Sequence, residues 1–230
     1  MKDNGKKGAL PGLACLAAFV LWTVLIQIID VQPAGPSGTE VGFAAFNLWF
    51  HHLTGVHMIL YTVTDWLGLV PIAVCLGFGT TGLIQWIKRK KLARVDPDIL
   101  LLGAYYVLVI LGYLLFEMIP INYRPVLIDG RLEASYPSST TLLVLSVMPT
   151  FIFQADRRIR RPLLKTAIII FSTGFSVFMV IGRLISGVHW ATDIIGSVLL
   201  SSGLFLLYRF FVIRIDQKKS AAPPEASDGI

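Results

Sequence analysis

Apolar residues run almost without interruption through positions 9–29, 66–87, 99–116, 141–153, 167–185 and 191–212, and polar or basic residues gather between those runs. A hydrocarbon core about 30 Å thick takes roughly 20 helical residues to cross. The pattern therefore predicts an all-α polytopic membrane protein, a bundle of six transmembrane helices. The first run exceeds the roughly 7–15 apolar residues of a secretory signal core, so it reads as a retained span. Residues 30–40 hold two prolines and two glycines and read as a loop. After it, Phe43, Phe46, Phe50 and Leu53 recur three to four apart with Trp49 alongside. That spacing predicts an amphipathic helix lying in the membrane interface between spans 1 and 2. The expected organisation is one membrane domain over 1–215 and a disordered cytoplasmic tail over 216–230, rich in Pro, Ala and Ser.

Composition agrees with the pattern. The chain is 55% hydrophobic and 15% charged, and its mean hydropathy of +0.71 is outside the range of a soluble fold. The net charge of +6 is not a nucleic-acid footprint, because the basic residues form short blocks beside the apolar runs. Cys15 and Cys75 both fall inside apolar runs, with no disulfide framework and no metal-ligand spacing. His51, His52 and His57 lack an acidic or Cys partner at ligand spacing and read as interfacial histidines. Asp65, just before the second span, reads as a helix cap, with a functional role as the alternative.

Charge placement sets the topology. The N-terminus, residues 88–94, residues 157–165 and the end of the chain carry 17 of the 20 Lys and Arg residues. With six spans these segments share one face, which the positive-inside rule makes cytoplasmic. The expected location is the plasma membrane, with both termini in the cytoplasm. Arg124, Arg131 and Arg183 are left on the outer face and need another reason to be there.

The residues able to do chemistry lie between Glu117 and Asp193. His189 and Asp193 are four apart at the start of a helix and share a face. An Asp in that place can hold one imidazole nitrogen as N–H and leave the other as a nucleophile. Taken alone, the pair reads first as an interfacial His and a capping Asp. Arg183 precedes His189 by six residues, and Arg124 sits before the stiffening Pro125. Guanidinium groups grip phosphate oxygens in a two-pronged way, although either arginine could instead snorkel to headgroups. Pro137 opens a helical turn whose free N–H groups, with the hydroxyls of Ser138 and Ser139, make either an anion site or a simple cap.

Taken together, R-P at 124–125, P-S at 137–138 and R-x5-H-x3-D from Arg183 to Asp193 resemble the type 2 phosphatidic acid phosphatase superfamily of membrane lipid phosphatases. Its pattern is K-x6-R-P, P-S-G-H and S-R-x5-H-x3-D, and the resemblance covers about residues 57–212. It implies a six-helix bundle with the site at the outer leaflet. By that resemblance His189 is the nucleophile that forms a phospho-histidine, Asp193 orients it, and Arg124, Arg183 and Ser138 hold the phosphate. The family's mechanism requires no metal or other cofactor.

Four positions depart from the family pattern. Glu117 stands at the Lys position, Ser139-Thr140 at Gly-His, and Gly182 at the Ser. Losing a general acid typically costs about 10²–10⁴-fold in rate, and a threonine hydroxyl is too weak an acid to replace it. Glu133 could donate the proton in its place, and Arg131 could restore the lost positive charge. Glu117 could pair with an arginine or accept a polar headgroup. Alternatively, a diphosphate substrate expels a phosphate-type leaving group and needs no acid. The expected partner is a lipid phosphate in the bilayer, either a phosphatidate type or undecaprenyl diphosphate. The alternatives are a lipid headgroup phosphotransferase and a non-catalytic lipid-phosphate binder.

Overall fold

A computed structural model describes residues 4–221. Among these residues the helices are α1 (Asn4–Ile28), α2 (Ala44–Thr54), α3 (Met58–Leu67), α4 (Leu69–Arg89), α5 (Pro97–Met118), α6 (Ser139–Arg158), α7 (Pro162–Ile185) and α8 (Ala191–Ala221). Pro97 and Pro162 open α5 and α7, where a missing N–H costs nothing. Lys88 and Arg89 close α4, and Arg157 and Arg158 close α6, each pair complementing the helix dipole.

Five helical stretches are long and apolar enough to cross a membrane: Gly8–Ile28, Met58–Arg89, Pro97–Met118, Pro162–Ile185 and Ala191–Ala221. The chain is an all-helical membrane protein. The remaining long helix, α6, was expected as an apolar span over 141–153 but is too polar to count among the five. It packs against α4, α5, α7 and α8, and buries Thr140, Thr141, Ser146, Thr150 and Gln154. Its neighbours supply partners for Thr150 and Gln154 and for the Ser146 carbonyl, whereas the Ser146 hydroxyl has none among the described residues. The Tyr105 hydroxyl donates to the Ser146 carbonyl at 3.0 Å, Tyr106 and Thr150 share a hydrogen bond at 2.9 Å, and Gln154 donates to the Tyr208 hydroxyl.

The second span begins earlier than the expected 66, because α3 starts at Met58 and runs into α4 across Gly68. Thr62 and Thr64 interrupt the apolar pattern there, yet each hydroxyl bonds back to the carbonyl four residues before it, at 3.0 and 2.8 Å. Helix α8 continues to Ala221, past the expected end of the membrane domain at 215. The rest of the expected tail, 222–230, lies outside the described residues.

Helices α1 and α8 pair antiparallel at close range. A Cβ on Gly203 would stand 2.7 Å from the Leu16 side chain, and one on Gly12 would stand 2.9 Å from that of Leu207. Helix α2 forms where the aromatic spacing placed it, with Phe46, Trp49 and Leu53 exposed. Its buried contact is polar: Asn47 donates to the Gly42 carbonyl and to Thr192 Oγ1, and accepts the Thr192 N–H at the start of α8.

Ion pairs gather the basic segments at one end of the bundle. Arg89 meets Asp96 at 2.7 Å, Arg158 meets Asp98 at 2.8 Å, and Arg157 meets Asp216 at 2.7 Å. The opposite end carries the segment between α5 and α6 and the turn between α7 and α8. The first of these folds back on itself through isolated antiparallel bridges, Tyr123 to Ala134 and Ile128 to Arg131. Asp129 and Gly130 both take positive φ at its tip, the conformation a tight two-residue reversal demands.

Candidate functional site

Five parts of the chain meet at that opposite end. The last turn of α7 delivers Arg183, the connecting turn delivers His189, and the first turn of α8 delivers Asp193. The hairpin between α5 and α6 delivers Asn122, Arg124, Glu133 and Ser135, and the start of α6 delivers Ser138 to Thr140. Gly187 makes the connection with φ +70, and a Cβ there would collide with the Gly55 carbonyl behind it. Gly182 has a packing reason too: a Cβ would lie 2.7 Å from the Thr64 methyl, so α3 crowds out any larger side chain there.

The nucleophile candidate is deeply enclosed. His189 is 3% exposed, Arg183 1% and Asp193 0%. His189 Nδ1 lies 3.1 Å from the Ser135 carbonyl, and Nε2 lies 3.3 Å from Arg183 Nη2. A carbonyl can only accept and a guanidinium can only donate, so Nδ1 carries the proton and Nε2 the lone pair. Burial, then the charges of Arg183 and Arg124, hold His189 well below the usual imidazole range, with the Ser135 carbonyl pulling the other way. The ring is therefore neutral at neutral pH.

Asp193 does less directly for the ring than the sequence suggested. Its Oδ2 lies 3.7 Å from His189 Nδ1 and accepts the Trp190 N–H at 2.9 Å, while Oδ1 accepts from Asn122 Nδ2 at 3.4 Å. The carboxylate reaches back to the residue before the helix, half of a capping box, and so fixes the turn that carries His189. Ser135, not singled out in the sequence, fixes the tautomer.

The arginines are underfilled. Arg124 Nε lies 3.1 Å from Glu133 Oε2, but its N–H is not aimed at that oxygen. Among the described residues, seven buried side-chain polar atoms lack a hydrogen-bond partner, and three are Arg124 Nε, Arg124 Nη1 and Arg183 Nε. Unpaired buried donors are costly, and such a concentration beside an imidazole lone pair suits an anion.

A pocket of about 210 Å³ opens here, bounded by Glu117, Arg124, Glu133, Ser135, Ser139 and His189 among others. It brings together five of the residues expected from sequence, with Arg183 and Asp193 directly behind His189. Three others fall elsewhere. Ser138 is buried with its Oγ donating to Thr141 Oγ1 at 3.1 Å, and its carbonyl accepts from Ser197, so it ties α6 to α8 and does not line the pocket. Thr140 faces a neighbouring apolar pocket of about 370 Å³ that shares Tyr113 and Ser139 with the first. Arg131 is exposed beside the tip of the hairpin and away from the pocket. Tyr61 and Thr64, which no motif marks in the sequence, also meet the arginines from α3. The available signal was their spacing with Asp65, which puts all three on one helical stripe.

No protein-family model matches the chain, and no curated protein matches it. Among solved structures, it resembles the crystal structure of the first transmembrane PAP2 type phosphatidylglycerolphosphate phosphatase from Bacillus subtilis. The TM-score is 0.64 at 18% identity, over 89% of this chain and 97% of that one. At this identity the likeness shows the fold: the chain has the architecture of a transmembrane PAP2 type protein.

Proposed function

From that fold and that pocket, we propose that the chain is a membrane lipid phosphatase or diphosphatase of the type 2 phosphatidic acid phosphatase superfamily, with His189 as its nucleophile. The observation that carries the reading is the set of unpartnered guanidinium donors around a neutral imidazole lone pair. In the proposed reaction Nε2 attacks phosphorus and the bond to the leaving oxygen breaks. Water then cleaves the phosphorus–nitrogen bond, releasing phosphate and the free imidazole. Arg124 and Arg183 offset the negative charge on the phosphate oxygens.

The proposed arrangement has six crossings, counting the enclosed α6, with the basic end in the cytoplasm and the pocket at the outer face of the plasma membrane. The exposed stripe of α2 would lie in the interface. The apolar pocket beside Ser139 offers room for a lipid chain. Thr140 faces that pocket rather than the polar one, and Glu133 is engaged with Arg124. A substrate that needs no proton donor, such as undecaprenyl diphosphate, suits this arrangement better than a phosphatidate.

The test is phosphate release by the purified protein in detergent with chelator present. Release from undecaprenyl diphosphate should exceed that from phosphatidate or phosphatidylglycerol phosphate, by up to about 10²–10⁴-fold if no acid serves the monoesters. Equal rates would mean that a carboxylic acid takes part, and Glu133→Gln would identify it. No release from any of the three, with binding intact, would leave a lipid-phosphate binder, the reading that Glu117 in the pocket favours.

The depressed basicity of His189 predicts the pH profile. An imidazole with an ordinary pKa of about 6.5 would lose its lone pair as pH falls from 7 to 6. Here the folded value lies lower, so the neutral form persists and single-turnover rates on the diphosphate should hold through that interval. A fall centred near 6.5 would contradict the enclosed, cation-flanked ring.

A further inference from the structure

Both arginines of the pocket lean on one aromatic ring. Arg183 Cζ lies 4.9 Å from the centroid of Tyr61, and Arg124 Cζ lies 5.7 Å from the same centroid. The stripe of α3 that carries Tyr61 makes two more contacts with Arg183. Thr64 Oγ1 is 3.5 Å from Nη1, and Asp65 Oδ1 is 3.6 Å from the same nitrogen. Each arginine thus has its own carboxylate, Glu133 for Arg124 and Asp65 for Arg183, and the two share Tyr61.

Two guanidinium groups sharing a buried site repel each other strongly in a medium less polar than water. A site for a multiply charged phosphate must nevertheless hold them together while it is empty. The negative face of an aromatic ring attracts both cations and, unlike a carboxylate, adds no charge that would compete with the incoming anion. The geometry points to Tyr61 as the positioning residue that sets the spacing of the arginine pair, with Asp65 as the tether that holds Arg183 on the α3 side. This rests on the proposed reading of the pocket as a phosphate site.

The ring face and the hydroxyl make different predictions. The dissociation constant of inorganic phosphate, measured by calorimetry on the full-length protein in detergent, should change less than about twofold in Tyr61→Phe, which keeps the ring. It should rise about tenfold or more in Tyr61→Leu and Tyr61→Met, which remove two cation–π contacts. Two aliphatic variants guard against one failing to fold, and thermal unfolding of each identifies the folded one. Asp65→Asn should raise the constant less than the aliphatic changes do, because its carboxylate is 57% exposed and well solvated. Phosphate bound by wild type and equally by a folded aliphatic variant would overturn the role of Tyr61 and leave the phosphate site standing. Loss in Tyr61→Phe as large as in Tyr61→Leu would overturn it too, by transferring the role to the hydroxyl. Wild type that binds no phosphate would remove the phosphate site itself and the inference with it. Binding that follows the ring, in a protein that hydrolyses no lipid, would support the positioning role and reject only the hydrolase.

Discussion

Replacing His189 with alanine should lower turnover by about 10⁴-fold or more while leaving phosphate binding nearly intact. The side chain supplies the only imidazole lone pair among the residues that line the pocket, and both of its nitrogens are already committed. Nδ1 is held by the Ser135 carbonyl and Nε2 faces Arg183, so the ring enters the reaction in one tautomer and one orientation. Under the proposed mechanism, removing it would take away the bond-forming atom but leave the donors of Arg124 and Arg183 to hold the phosphate. Single-turnover kinetics would give the rate. An acid-labile phosphoryl group trapped on wild type and absent from His189→Ala would identify the intermediate. A variant that kept more than about a tenth of the wild-type rate would exclude His189 as nucleophile.

The second large effect is expected at Arg183. Its guanidinium is 1% exposed, touches His189 Nε2 and Thr64, and stacks on Tyr61. Removing one preorganised donor to a developing anion costs about 10²–10³-fold in rate. Arg183→Ala removes more than one, so kcat/KM should fall by about 10³-fold or more. Arg183→Lys keeps the charge but offers a single point in place of a planar fork, which cannot reach His189 and the α3 stripe together. It should still lose about 10²-fold. A lysine variant as active as wild type would show that charge alone matters and that the fork geometry does not. Arg124 has Glu133 beside it and is more exposed than Arg183, so Arg124→Lys should cost less in the same assay.

The sequence was most informative where chemistry and spacing are local. His189 and Asp193 are one helical turn apart, and Arg183 is joined to them by a short glycine-bearing turn, so their meeting could be read from the chain. Arg124 and Glu133 meet only because the segment between them reverses at Asp129-Gly130, a two-residue turn signal whose pairing the flanking residues do not announce. Tyr61, Thr64 and Ser135 reach the site through packing between distant elements, and no local pattern announces that. Polar residues also misled the boundaries. Thr62, Thr64 and Asp65 set the expected start of the second span at 66 and left α3 out of it, although the threonines bond to their own helix and Asp65 faces Arg183. Ser138 was assigned to the phosphate from the motif, but its hydroxyl turns toward Thr141.

The polarity of α6 has a consequence for how the molecule is made. A helix that carries Thr141, Ser146, Thr150 and Gln154 inward is poorly suited to sit alone in hydrocarbon. Its partners are Tyr105 and Tyr106 on α5, which is synthesised before it, and Tyr208 on α8, which is synthesised last. Until α8 is made, Gln154 lacks its Tyr208 partner. The same helix carries in Asp193 and closes the turn that holds His189. A nascent chain halted before α8 would therefore lack both the Tyr208 partner of Gln154 and the Asp193 carboxylate that accepts the Trp190 N–H beside His189.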